Sequence, residues 1–325
     1  MRASEPTRPA PARATDRDTR LRRALRSLDG LSVGDAFGER FFGKPDEVRR
    51  RIGAREIPAG TWKFTDDTDD TVMSLSIVDV LAEHGDIDGA TLALLFAQRY
   101  RFDPARGYGR TAHAILGRIA AGEHWTQVAP SVFGGAGSLG NGGAMRAAPI
   151  GAYFADDPTR AARAALRSAE VTHAHPEGQA GAIAVAVAAA WVASEASNDP
   201  GAMFEAVLAL TPGGATRDGI AAAAALPLTS SIDAAAARLG NGERVSAPDT
   251  VPFAPWCVAR HPADYTEALW TTVAALGDRD TTCAIVGGIV ALHPRAELPG
   301  AWLAARESLA TLDRAPLDRT ARSPR

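Results

Sequence analysis

Four aspartates fall within five positions in Thr65-Asp66-Asp67-Thr68-Asp69-Asp70-Thr71, directly ahead of the apolar run Val72 to Leu81. Carboxylates at a helix start are favoured by the helix dipole, and one or two of them can cap the first turn. Four so close together repel one another unless a cation neutralises them. Capping and ligation therefore both stand for this segment. A second group, Asp278-Arg279-Asp280-Thr281, repeats the layout ahead of the apolar run Cys283 to Leu292. Alone it reads as a capped helix start. Together, two helix N-termini carrying acids and a threonine hydroxyl could converge on the all-oxygen environment that hard cations such as magnesium require. Neither cluster has the neighbouring histidines or thiolates of a zinc site. A paired-metal site holds substrate oxygens and activates a water, which points to hydrolysis.

A glycine-rich loop, Gly134-Gly135-Ala136-Gly137-Ser138-Leu139-Gly140-Asn141-Gly142-Gly143, leads into Ala144-Met145-Arg146-Ala147-Ala148, which reads as helical. Backbone without side chains can approach a ligand closely, and N–H groups at a helix start suit phosphate. The loop lacks the Gly-Lys-Ser/Thr ending of a Walker loop. It is either a ligand cradle or a flexible connection. Thr172-His173-Ala174-His175 stands just before a core helix, so its histidines are either ligand contacts or cap and packing residues. Arg106-Gly107-Tyr108-Gly109 is either a turn or a second backbone surface near the ligand.

The elements that must position these residues are helices. Apolar residues recur at helical spacing almost throughout, as in Met73, Leu75, Ile77, Val78 and Leu81, whereas alternating strand-like segments are scarce. Breakers such as His84-Gly85-Asp86, Asp157-Pro158 and Thr211-Pro212-Gly213-Gly214 divide the runs. The alanine-rich stretches 161–169, 221–225 and 234–237 read as closely packed helices, since alanine is the best helix former. The expected organisation is one all-α domain over residues 21–312, with a disordered tail over 1–20 and a frayed end over 313–325.

A chain of 325 residues, 46% hydrophobic, is long enough for a large core. Its formal net charge of −3 gives no footprint for bulk nucleic-acid binding or an anionic membrane surface. Two cysteines, Cys257 and Cys283, are too few for a disulfide framework and fit a reducing cytoplasm. The most apolar run, Gly181 to Ala193, falls short of the roughly 20 residues a membrane span needs and reads as a core helix.

Taken in order, Gly34-Asp35-Ala36-Phe37-Gly38, Thr68-Asp69-Asp70-Thr71-Val72-Met73, Arg106-Gly107-Tyr108-Gly109, Gly137-Ser138-Leu139-Gly140-Asn141-Gly142-Gly143-Ala144-Met145-Arg146, Thr172-His173 and Asp278-Arg279-Asp280-Thr281 resemble the ADP-ribosylglycohydrolase family. Each motif is short; their order and spacing carry the resemblance. It implies an all-α orthogonal bundle, two Mg2+ ions, and removal of ADP-ribose from a modified group on a protein or small molecule. By motif match, Thr68, Asp69, Asp70, Asp278, Asp280 and Thr281 would be metal ligands. Gly107, Gly137, Ser138, Gly140, Asn141, Gly142 and His173 would meet the substrate. Asp69, Asp70, Asp280 and Glu39 would serve the chemistry, a carboxylate taking the proton of the attacking water.

Two positions depart from the family pattern. Members often carry a metal-associated Glu eight residues after the first Gly of Gly-Asp-Ala-x-Gly, and Phe42 stands there. Glu39 is the nearest carboxylate, read either as its substitute or as a surface helix acid. The acidic run is also doubled. Alignment from Met73 selects Thr68, Asp69 and Asp70, while alignment from Trp62-Lys63-Phe64 selects Thr65, Asp66 and Asp67; the first is preferred because those residues abut the helix. The resulting expectation is hydrolysis of an N-glycosidic ADP-ribosyl bond, with arginine as the modified residue. The alternative is a catalytically silent ADP-ribose-binding or structural relative.

Overall fold

Residues 30, 34 and 38 of the first helix, Ala14–Glu39, are all glycine, and this spacing decides how the core is assembled. A Cβ added at Gly30 would lie 2.4 Å from the carbonyl oxygen of Gly287, at Gly34 2.1 Å from that of Cys283, and at Gly38 2.2 Å from that of Arg279. The missing side chains let the first helix lie antiparallel and backbone to backbone on the Arg279–Val290 helix. Ser27 Oγ donates to the Gly288 carbonyl at 2.8 Å and Tyr265 OH to the Gly30 carbonyl at 2.6 Å, fixing the register. That register sets Asp35 beside Asp280.

The computed structural model describes residues 14–62, 68–194 and 199–312. Among them the architecture is all-α, with only two isolated β-bridges, Trp62 with Arg306 and Gly140 with Ser246. The Pro176–Ala193 helix is buried along nearly its whole circumference, as expected of a helix that is apolar all round. It packs against Pro158–Glu170, Ala148–Tyr153, Pro200–Leu210 and the short Gly142–Met145 turn, so one core spans the chain. No helix among the described residues is long and apolar enough to cross a membrane.

Helix boundaries follow local chemistry. The Asp70–His84 helix stops at Gly85, which takes φ +68° and returns its N–H to the Leu81 carbonyl. Asp157 and Asp199 cap the Pro158–Glu170 and Pro200–Leu210 helices through their side chains.

Two expectations need correction. The first helix starts at Ala14, within the stretch assigned to a tail over 1–20; residues 16–20, four of them charged, form its exposed leading turns ahead of the buried Ala24 and Leu28. The segment Ala144 to Ala148 is not one helix. It breaks at Arg146 and Ala147 between Gly142–Met145 and Ala148–Tyr153, since Pro149 has no N–H to return to the Met145 carbonyl. Residues 313–325 lie outside the described residues, as do Thr65, Asp66 and Asp67 of the upstream register.

Candidate metal centre and substrate loop

Asp69 and Asp278 both occupy N-cap positions, yet neither side chain makes a cap hydrogen bond. The acids forgo a contact generally worth about 1 kcal/mol, and Asp278 instead accepts from Asn141. Carboxylate oxygens of Asp35, Asp70 and Asp280 all lie within 4.8 Å of one another, in a buried group that could hold a cation. Thr68 Oγ1 donates to Asp35 Oδ1 at 2.6 Å and lies 3.2 Å from Asp70 Oδ2, while Thr281 Oγ1 is 3.4 Å from that same oxygen. Thr71 holds the other side of Asp35, its N–H at 3.0 Å and its Oγ1 at 2.5 Å from Oδ2.

Burial is the largest influence on each of these acids, and repulsion between aspartates adds to it at Asp69, Asp70 and Asp280. Asp70 and Asp280 are pushed well above the ordinary carboxylate range by burial and then by neighbouring aspartates. Asp69 is raised to about 7 by burial, and Asp35 to about 6 by burial against the opposing hydroxyls of Thr68 and Thr71. Asp278 is raised by burial, offset by hydrogen bonds from its neighbours. Asp70 Oδ1 and Asp280 Oδ1 are buried acceptors with no partner among the described residues. Such atoms are costly to leave unmatched, and a hard cation is the group that an orphaned, all-oxygen carboxylate cluster fits.

The glycine loop meets this cluster through Asn141, whose Nδ2 donates to Asp278 Oδ2 at 2.6 Å and to Thr250 Oγ1 at 3.1 Å. The loop wraps His173: a Cβ at Gly142 would lie 3.0 Å from its Cε1, and one at Gly140 3.2 Å from its Nε2. Gly137 takes φ +75°, and a side chain there would run into Ala174 and His175 at 2.7 Å. Ser138 Oγ accepts from the Gly140 N–H at 3.1 Å. His173 is pushed down to about 3, first by burial and then by Arg146, so it stays neutral at pH 7 and serves as a hydrogen-bonding group.

Arg146, at the end of the loop motif, is the loop's anchor. Fully buried, it donates to the carbonyls of Gly142 at 2.9 Å and Ser168 at 2.8 Å and to Thr172 Oγ1 at 2.8 Å, with its guanidinium 4.7 Å over the Phe96 ring. Thr172 Oγ1 in turn contacts His173 Nδ1 at 2.7 Å. One guanidinium therefore ties the loop to the histidine segment.

The structure places Thr68, Asp70, Asp280 and Thr281 together, with Asp69 and Asp278 at the adjoining helix caps. Gly107 lies in a turn at φ +62°, between Arg106, which pairs with Asp103 and Glu307, and the buried Tyr108, whose hydroxyl feels the Asp69 charge. Glu39 stands half-buried at the end of the first helix, outside the carboxylate triad. Its Oε2 is buried one helical turn beyond Asp35, the acid that the first helix supplies to the triad. Asp35 had been read as part of a motif and not as a site residue; the signal that marked it was the glycine spacing, which only a close helix contact explains.

The model of the ADP-ribosylglycohydrolase family matches residues 16–323. The ADP-ribosylhydrolase ARH3 of Gallus gallus is 34% identical over 175 residues, which are 50% of this chain and 47% of that protein. The ADP-ribosyl-[dinitrogen reductase] glycohydrolase of Rhodospirillum rubrum is 33% identical over 159 residues, 47% of this chain and 52% of that one. The chain thus spans about half the length of these curated relatives. An uncharacterized protein of Archaeoglobus fulgidus is 29% identical across 84% of this chain and 88% of its own. A solved structure, an ADP-ribosylglycohydrolase-related protein complex, superimposes with a TM-score of 0.61 at 27% identity, covering 92% of this chain and 97% of that one.

Proposed function

The chain belongs to the ADP-ribosylglycohydrolase family, and on that premise we propose that it is a magnesium-dependent hydrolase that removes ADP-ribose from a modified group, with the N-glycosidic bond to a protein arginine as its target. The observation that carries the reading is the convergence of Asp35, Asp70 and Asp280, two of them with an unmatched buried oxygen, beside a glycine loop joined to them through Asn141 and Asp278.

In this reading Asp35, Asp70 and Asp280, with the hydroxyls of Thr68 and Thr281, hold one cation, and Asp69 and Asp278 complete the set for a second. Five carboxylates and two hydroxyls exceed what a single octahedral Mg2+ uses, because that ion keeps several waters. When bound, the metal supplies charge neutralisation and polarisation of ribose hydroxyls and a water. Asp69, half-buried at the start of the Asp70–His84 helix, would take the proton of the attacking water. The backbone of Gly137, Ser138, Gly140, Asn141 and Gly142 lies along the diphosphate and ribose, and neutral His173 donates or accepts a hydrogen bond there. The proposed setting is a reducing cytoplasm, where the buried free thiols of Cys257 and Cys283 stay unpaired.

The test is release of ADP-ribose from an arginine-modified protein with Mg2+ and with EDTA. Asp69→Ala and Asp280→Ala should each abolish release that the unaltered chain performs. Phe42, standing where relatives often carry a Glu, favours a second reading: an ADP-ribose-binding relative that does not hydrolyse. Tight ADP-ribose binding without release from N-linked or O-linked conjugates would establish it.

A further inference from the structure

Arg279, between the two aspartates of the second cluster, is only 8% exposed, and its guanidinium lies 5.0 Å over the ring of Phe42. Among the described residues no hydrogen bond or ion pair engages that guanidinium, and its Nε is buried without a partner. A buried charge is costly unless it is matched. The neighbouring acids Asp278 and Asp280 belong to the candidate metal centre, and a cation there would cancel what compensation they offer.

Arg279 and Phe42 form part of the wall of a cavity of about 510 Å³, shared with Arg49, Val245, Leu276 and Asp278. That size suits an amino-acid side chain or a small ligand. Asp278 also belongs to the acidic cluster, so the cavity opens beside the reaction centre. No residue of the glycine loop, 137–143, lines it. Arg49 adds a second guanidinium near Arg279, while Glu243 contributes one exposed carboxylate to the wall. The Phe42 ring supports the guanidinium by stacking and takes none of its donors.

Resting on the hydrolase reading, we propose that Arg279, held against Phe42, binds an oxyanion carried by the departing part of the substrate, such as an acidic side chain next to the modified residue. The ADP-ribose diphosphate is the other possible source of an oxyanion, and the loop backbone is better placed to meet it.

The experiment compares two ADP-ribosylated arginine peptides, one flanked by Glu and one by Ala, with free ADP-ribose as the third ligand. The unaltered chain should favour the Glu-flanked peptide roughly tenfold or more in kcat/KM, mainly through KM, the scale of one charge-assisted hydrogen bond. Arg279→Gln should collapse that ratio toward one, and Arg279→Lys should retain most of it. A general loss of folding lowers both rates together and leaves the ratio intact, so the ratio separates recognition from stability. Absence of any preference, a ratio untouched by Arg279→Gln, or free ADP-ribose weakened as much as the Glu-flanked peptide would each overturn the proposal. If neither peptide is cleaved, the hydrolase reading fails, and the same ratios measured by fluorescence anisotropy still decide the role of Arg279.

Discussion

Thr71 grips Asp35 twice, its backbone N–H and its hydroxyl both donating to Oδ2, at 3.0 and 2.5 Å. The first turn of the Asp70–His84 helix thereby fixes a carboxylate on a different helix, and with Thr68 on the other oxygen Asp35 has a single orientation. Partners of this kind orient metal ligands, and their loss generally costs about 10–100-fold in affinity. Thr71→Val, which keeps shape and removes the hydroxyl, should weaken Mg2+ binding by roughly tenfold in calorimetric titration, on that scale. Unchanged affinity would mean that the hydroxyl orients nothing.

The raised acids make a signed prediction about pH and metal. A carboxyl raised on folding stabilises the fold fully below its unfolded value, and that contribution is lost as pH rises through the folded value. For Asp35 and Asp69 the loss falls between the ordinary 3.8 and about 6 and about 7, respectively. Metal-stripped protein should therefore lose melting temperature from this source as pH rises from 4 toward 7. Added Mg2+ should restore it, with the largest gain above pH 7, where the acids are ionised and metal competes with no proton. A Mg2+ effect greatest at pH 5 would contradict the assignment.

The helix contact through Gly34 predicts a backbone clash. Gly34→Ala would set a Cβ 2.1 Å from the Cys283 carbonyl oxygen, which is backbone and has little room to yield. It should cost about 3 kcal/mol or more in urea denaturation, at the upper end of overpacking effects. Mg2+ affinity should fall too, since the same contact brings Asp35 to Asp280. Gly53→Ala, with no atom within 4 Å of the added Cβ, is the control and should leave stability nearly unchanged.

Arg146 gives a prediction that separates the loop from the metal centre. Arg146→Met leaves the Gly142 and Ser168 carbonyls and the Thr172 hydroxyl without their donor, and should destabilise the fold by about 3 kcal/mol or more. Followed by NMR, His173 should titrate higher than about 3, yet still below 6.5, because burial is the larger cause of its depression and Arg146 the smaller. ADP-ribose affinity should fall more than Mg2+ affinity.

Much of this was legible from residue types. Apolar periodicity and breakers located the Asp70–His84 and Pro176–Ala193 helices, and the acidic clusters fell at helix starts as their chemistry suggested. What local pattern could not decide was which carboxylate the first helix presents. Glu39 is the nearest acid to Phe42 along the chain and stands one helical turn from Asp35 on the same face; Asp35 is the one that joins Asp70 and Asp280 where Gly30, Gly34 and Gly38 bring the two helices together. The role of Arg146 was hidden for a similar reason. Its partners Ser168 and Thr172 lie on the segment after the next helix, and nothing in the spacing of charges announces a buried guanidinium. Capping and ligation both stood for the first acidic run, and the second read alone as a capped helix start; neither Asp69 nor Asp278 makes the cap hydrogen bond.

The most direct test of the metal centre is a Mn2+ titration of metal-stripped protein, followed by electron paramagnetic resonance, for the unaltered chain and for Asp280→Asn. The expected result is saturable binding by the unaltered chain, displaced by Mg2+, with affinity falling at least tenfold in Asp280→Asn while its circular dichroism is preserved. Equal binding by the two proteins, or none by either, would contradict the account.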